Sequence, residues 1–198
     1  MLVQVIKGRT SNPDALLALD EKWKTDVQPV AVGYVGSTFG VAEDGTFIAI
    51  AQFTDDVAAK ENSGLPQQDA WYQEFAKAID GEPSFRETTD TSLLFDGPST
   101  KATFAQVMES TVKDRSKAEA METGEALAEL RKARPDLLGG LRAWFDGGKC
   151  VEIAYFTSEA DARKGESSEE FGGPHEEFTA LYDNMTFLDL KNPRIDLA

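Results

Sequence analysis

The residues of this chain best suited to chemistry on a small molecule are aromatic. Trp71, Tyr72, Trp144 and Phe178 offer flat apolar surface, and a ligand pocket combines such walls with a few polar groups. Tyr72 and His175 add titratable groups on predicted helices, each able to take or give a proton. The same spacing also serves packing, since Trp71, Phe75 and Ile79 follow one another at single helical turns. His175 follows Gly172-Gly173-Pro174 and precedes Glu176-Glu177, a setting that equally suits an exposed helix start.

Other chemistries lack their residues. The sequence has no HExxH pair, no cysteine-pair zinc pattern, no GxSxG elbow, no Walker phosphate loop and no GxGxxG fingerprint. A single histidine rules out a His-dependent metal triad, and the acidic clusters lack calcium-loop spacing, so no metal site is expected. Cys150 stands alone in a predicted strand and reads as core in a reduced, cytoplasmic setting. Residues 1 to 100 carry 7 basic and 16 acidic side chains, and the remainder 13 and 19. The net charge of −15 would repel a phosphate backbone, and no basic stripe offsets it, so nucleic acid is not an expected partner. No apolar run approaches the ~20 residues of a membrane span, and none is expected.

The elements that must position these residues are written twice. Phe47 to Phe53 (FIAIAQF) recurs as Cys150 to Phe156 (CVEIAYF), 103 residues on, and Val3-Gln4-Val5 recurs as Ala105-Gln106-Val107. Gly33-Tyr34-Val35 is matched to Gly139-Gly140-Leu141 at an offset of 106. Asn12-Pro13-Asp14 predicts a helix start, with Leu16, Leu19, Trp23 and Val27 on one stripe. A hairpin turns at Asp44-Gly45, a broken helix follows from Asp55, and one strand is expected within Phe85 to Phe95. The second half repeats this order, with a helix from Asp114 carrying Ala118, Met121, Leu127 and Leu130, and Met185 to Leu190 closing the sheet ahead of a polar tail.

The order βαββαβ, twice, predicts an α+β fold of two ferredoxin-like units, 1–97 and 104–198, joined by a linker at 98–103. Each unit covers one sheet face with helices and leaves the other to be covered, so the two are expected to form an intramolecular pseudo-dimer. Further association of pseudo-dimers into a homodimer stays open.

Ala51-Gln52-Phe53-Thr54-Asp55-Asp56-Val57-Ala58-Ala59, with its partner Tyr155-Phe156-Thr157-Ser158-Glu159-Ala160-Asp161-Ala162, resembles the dimeric α+β barrel superfamily. There a strand ends in an aromatic residue and a small or acidic residue caps the next helix. More narrowly the segment is similar to the antibiotic-biosynthesis monooxygenase family, and the likeness spans both halves. The resemblance implies pockets between sheet and helices, an apolar or aromatic small molecule as ligand, and oxidation without a dedicated cofactor. Polar groups of the polyketide oxygenases are replaced here by Ala49, Phe53 and Ala58 or Ala59. His175, 19 residues after Phe156, stands near the place of the haem ligand in haem-degrading members, and Tyr72 holds the matching place after Phe53. Gln4 and Gln106 are the nearest counterparts of an Asn in their first strand. The leading expectation is a binding protein of monooxygenase type, with Tyr72 and His175 handling protons and Trp71, Trp144 and Phe178 against the ligand. The alternatives are a non-catalytic scaffold with filled pockets and a haem-binding protein. Duplicated units diverge freely, and the second is expected to keep the site.

Overall fold

A computed structural model describes residues 1–167 and 180–198. In chain order the elements are β1 (Leu2–Arg9), α1 (Pro13–Asp26), β2 (Tyr34–Val41), β3 (Thr46–Phe53), α2 (Asp56–Ser63), α3 (Pro66–Ala78) and β4 (Ser84–Thr88). There follow β5 (Thr91–Phe95), β6 (Phe104–Val112), α4 (Arg115–Ala120), α5 (Gly124–Ala133), β7 (Leu137–Phe145), β8 (Lys149–Phe156), α6 (Glu159–Glu166), β9 (Tyr182–Lys191) and β10 (Arg194–Leu197). They form an α+β fold of two antiparallel sheets, ordered β10-β2-β3-β1-β4 and β5-β7-β8-β6-β9. Without β10 and β5, each sheet has the strand order of a ferredoxin-like unit.

The division differs from contiguous halves at 1–97 and 104–198. The first compact unit is Met1–Thr89 with Pro193–Ala198, and the second is Asp90–Asn192. The single strand expected within Phe85 to Phe95 is two strands, broken at Thr89 and Asp90, with β4 in the first sheet and β5 in the second. The polar tail is β10, paired with β2 through Arg194↔Phe39 and Leu197↔Gly36. An exposed strand edge leaves backbone N–H and C=O groups unpaired, and these two additions pair them.

The pairing of each added strand ends beside a bulge. The registers of β2 and β7 slip between Tyr34 and Gly36 and between Leu137 and Gly139. Gly36 faces Gln52 and Gly139 faces Tyr155, so the structure matches Gly36 with Gly139 at the offset of 103, correcting the match of Gly33 to Gly139. A Cβ on Gly36 would lie 2.6 Å from the Asp196 carbonyl oxygen, and one on Gly139 only 2.1 Å from that of Gly97. Both glycines are demanded by close backbone approach.

The helices start as their caps dictate. Asn12 Oδ1 accepts from the Ala15 N–H at 3.2 Å with Pro13 at the first helical position. In the two signature segments Asp55 Oδ1 accepts from Ala58 N–H at 2.8 Å and Ser158 Oγ from Asp161 N–H at 3.1 Å. The helix expected from Asp114 is two: Asp114 caps α4, and Thr123 Oγ1, accepting from Ala126 N–H at 3.1 Å, starts α5 anew. Strand residues are buried on both sheet faces, Phe47 and Ile48 being successive and both at 0% exposure.

The helix-facing core of the second unit gathers Val112, Ala118, Trp144, Cys150 and Tyr182. Cys150 is core, as its strand position implies, and burial pushes its thiol up. Beside it Arg142 is ion-paired with Glu152 and Glu122, and its guanidinium lies 5.5 Å from the Trp144 ring centroid. The Arg142 and Glu152 side chains are 13% and 20% exposed. Burial raises the Glu152 carboxyl above its ordinary value, and the Arg142 charge opposes that rise.

Two predictions follow from these contacts. Gly139→Ala should cost about 1–3 kcal/mol in urea unfolding by driving β7 from the chain after β5, whereas Gly124→Ala, with nothing within 4 Å of its Cβ, should cost nothing. Equal effects would remove the close-approach account. Arg142→Met should cost about 3 kcal/mol by stranding the Glu152 carboxylate. The double variant with Glu152→Gln should recover most of that loss, and failure to recover would show that Arg142 acts through packing alone.

Candidate functional site

The first unit contains a cavity of about 440 Å³ lined from β1, β2, β3, β4, α1, α2 and α3. Strand alternation puts Gln4 and Ile6, Ser37 and Phe39, and Ala49, Ala51 and Phe53 on its sheet wall. The small side chains of Ala49 and Ala51 leave the space. On α1, Leu16, Asp20 and Trp23 recur at helical spacing and face it. Asn62 closes one side from α2, and Trp71, Tyr72 and Phe75 come from α3.

The aromatic walls are held in fixed orientation. Trp71 stacks on Phe75 at 5.0 Å, and Trp23 lies 4.9 Å from Tyr34, which in turn lies 6.0 Å from Phe53. The Trp71 indole N–H donates to the Leu19 carbonyl at 2.7 Å, and that of Trp23 to Gln68 Oε1 at 2.9 Å. With both indoles tied, neither ring swings in to fill the space.

Polar groups cluster at one wall. The Tyr34 hydroxyl lies 2.8 Å from Ser37 Oγ and 3.1 Å from Asp196 Oδ2, which also accepts from Gln28 Nε2 at 2.7 Å. Burial pushes the Tyr34 phenol up, so it stays protonated. Asp20 Oδ2 lies 3.3 Å from Lys24 Nζ and 3.5 Å from Arg194 Nη1, as ion pairs without hydrogen-bond geometry. Burial raises the Asp20 carboxyl despite those cations. Asn62 is 5% exposed, and its Oδ1 has no hydrogen-bond partner. Gln4 lines the cavity but donates to Glu87 Oε2 at 3.3 Å, as Gln106 does to Asp189 Oδ1 at 3.0 Å in the second unit.

The structure brings together two of the five expected site residues. Trp71 and Tyr72 share the cavity wall, with Tyr72 44% exposed. Trp144 is packed in the core of the second unit at 4% exposure and lines no part of this cavity. His175 and Phe178 lie outside the described residues. The cavity is lined wholly by residues of the first unit; the segment of the second unit that carries His175 and Phe178, where the site was expected to be kept, lies outside the described residues. Asp20, Tyr34 and Asn62 were missed. Asp20 carried a usable signal, four residues after Leu16 on the buried stripe; Asn62, in the last turn before Gly64, carried none.

No family model and no curated protein matches the sequence. Solved structures do match in fold. A candidate monooxygenase of Fusobacterium nucleatum superposes with a TM-score of 0.79 at 13% identity, covering 99% of this chain and 94% of the other. Another from Lactobacillus acidophilus gives 0.75 at 12%, covering 99% and 95%. An anthrone oxidase-like protein gives 0.63 at 11%, covering 98% and 92%. Over almost its whole length this chain therefore shares the fold of these three proteins.

Proposed function

We propose that the first unit binds a small aromatic molecule in its cavity and promotes its oxidation by dioxygen. The observation that carries this reading is the open volume of about 440 Å³ between tied tryptophans and a polar wall. A space of that size takes a two- or three-ring molecule and removes most of it from water. The full-length fold likeness to candidate monooxygenases supports the reaction type.

The residues supply proton chemistry. A ring-bound CH₂ made acidic by neighbouring carbonyls loses a proton to the Asp20 carboxylate, whose burial favours accepting it. The resulting carbanion is electron-rich enough to react with O₂, and replacement of both hydrogens by one oxygen balances with release of one water. The Tyr34 hydroxyl, protonated and donating to Ser37 and Asp196, fixes the polar wall against which the substrate lies. Tyr72 lies on the exposed part of the wall, where it can pass a proton to solvent.

Filling the cavity tests the binding step. Ala51→Leu should weaken calorimetric binding of naphthylmethanol at least tenfold while leaving the melting temperature unchanged or higher; undiminished affinity would place the site elsewhere. Oxidation is tested by oxygen uptake with phenols and cyclic aryl ketones in air. Asp20→Asn should lower kcat by about 10²-fold with little change in KM, and Tyr72→Phe should lower it less. Saturable uptake indifferent to Asp20→Asn would remove the proton-transfer role.

A further inference from the structure

The charged side chains lining the cavity are both acids, Asp20 and Asp69, and no lysine, arginine or histidine lies on its wall among the described residues. Asp20 is the enclosed one, its side chain 13% exposed, whereas Asp69 is exposed. The two bases beside Asp20 are shared: Lys24 also lies 3.5 Å from Glu21 Oε1, and Arg194 is paired with Glu21 as well. Lys24 and Arg194 against Asp20, Glu21 and Asp196 leave one net negative charge on this side, and of the three acids only Asp20 lines the cavity. The field inside the cavity is therefore negative.

The aromatic faces act in the same direction. Trp23, Trp71 and Phe75 line the cavity, and aromatic rings interact more favourably with a cation than with an anion. Both indole N–H groups are already spent on Gln68 and Leu19, and the Tyr34 hydroxyl on Ser37 and Asp196. Asn62 adds an amide whose carbonyl oxygen has no partner in the protein. A carboxylate entering this space would lose its water to meet acids and aromatic rings, at a cost no basic group on the wall returns. An ammonium group meets the opposite situation.

We infer that the cavity selects an arylalkylamine, protonated at neutral pH, over an arylcarboxylate of the same size, and that Asp20 sets this preference. The inference rests on the binding reading above and specifies its ligand class. A unit charge within several ångströms of the Asp20 carboxylate, in surroundings less polar than water, changes affinity by at least tenfold.

The test is a calorimetric titration of the full chain at neutral pH and low salt with naphthylmethylamine, naphthylmethanol and naphthoate, which share one ring system. The expected order is amine tightest, alcohol next and naphthoate at least tenfold weaker than the amine. In Asp20→Asn the gap between amine and naphthoate should close to within threefold. Naphthoate binding as well as the amine, with the alcohol also bound, overturns the selection and leaves the cavity reading standing. A gap that persists in Asp20→Asn overturns the assignment to that residue. If none of the three binds, both the inference and the binding reading fall. The ranking is read on the unaltered protein, so it decides the selection even if the variant does not fold.

Discussion

Backbone pairing at two strand edges is the constraint on which the rest of this structure depends. β2 and β7 would each end a four-stranded sheet with unpaired N–H and C=O groups, and each is instead paired by a short strand from outside its own repeat. The approach is close enough that Gly36 and Gly139 tolerate no Cβ. The effect reaches the candidate site, because β10 brings Asp196 to the Tyr34 hydroxyl and Arg194 to Asp20. A strand added to satisfy backbone groups thus also supplies the charges that set the character of the cavity.

On this shared frame the two repeats diverged through a few side chains at equivalent registers. Where the first unit has Ile6, Phe39 and Ala49 in a row across three strands, the second has Met108, Arg142 and Glu152. Val41 is answered by Trp144. Alanine at position 49 leaves room for a ligand; glutamate at 152 brings a carboxylate that needs Arg142 to remain buried. A buried ion pair of this kind adds little net stability against an apolar filling, but removing one partner is costly. The second repeat is thereby committed to keeping both, while the first keeps open space among aromatic rings.

Open space also has a cost, because atoms around a void lose contacts that a packed core would make. The first unit offsets this with ring-to-ring contacts through Trp71, Phe75 and Phe47 and with hydrogen bonds that hold each indole. A wall rigid enough not to collapse is pre-organised for a ligand, since little side-chain freedom remains to be lost on binding.

Local chemistry made much of the architecture legible in the sequence. Asn12-Pro13 and Asp55 start helices wherever the chain goes, because a side-chain oxygen and its own backbone N–H decide the matter within one turn. The repeat of FIAIAQF as CVEIAYF marked β3 and β8, since alternation of side chains between two faces is a property of the strand alone. Trp71 and Tyr72 were visible as wall residues by type and spacing. The break of Phe85 to Phe95 between two sheets, and the pairing of the last residues with β2, were not legible: strand partners far apart in the sequence are chosen by which edges remain open, and that is known only once the sheets exist. Asp20 was half legible, since it falls four residues after Leu16 on the buried stripe of α1. Nothing local distinguishes Asn62 from an amide in water, and only tertiary packing removed the water and left it facing a space of its own.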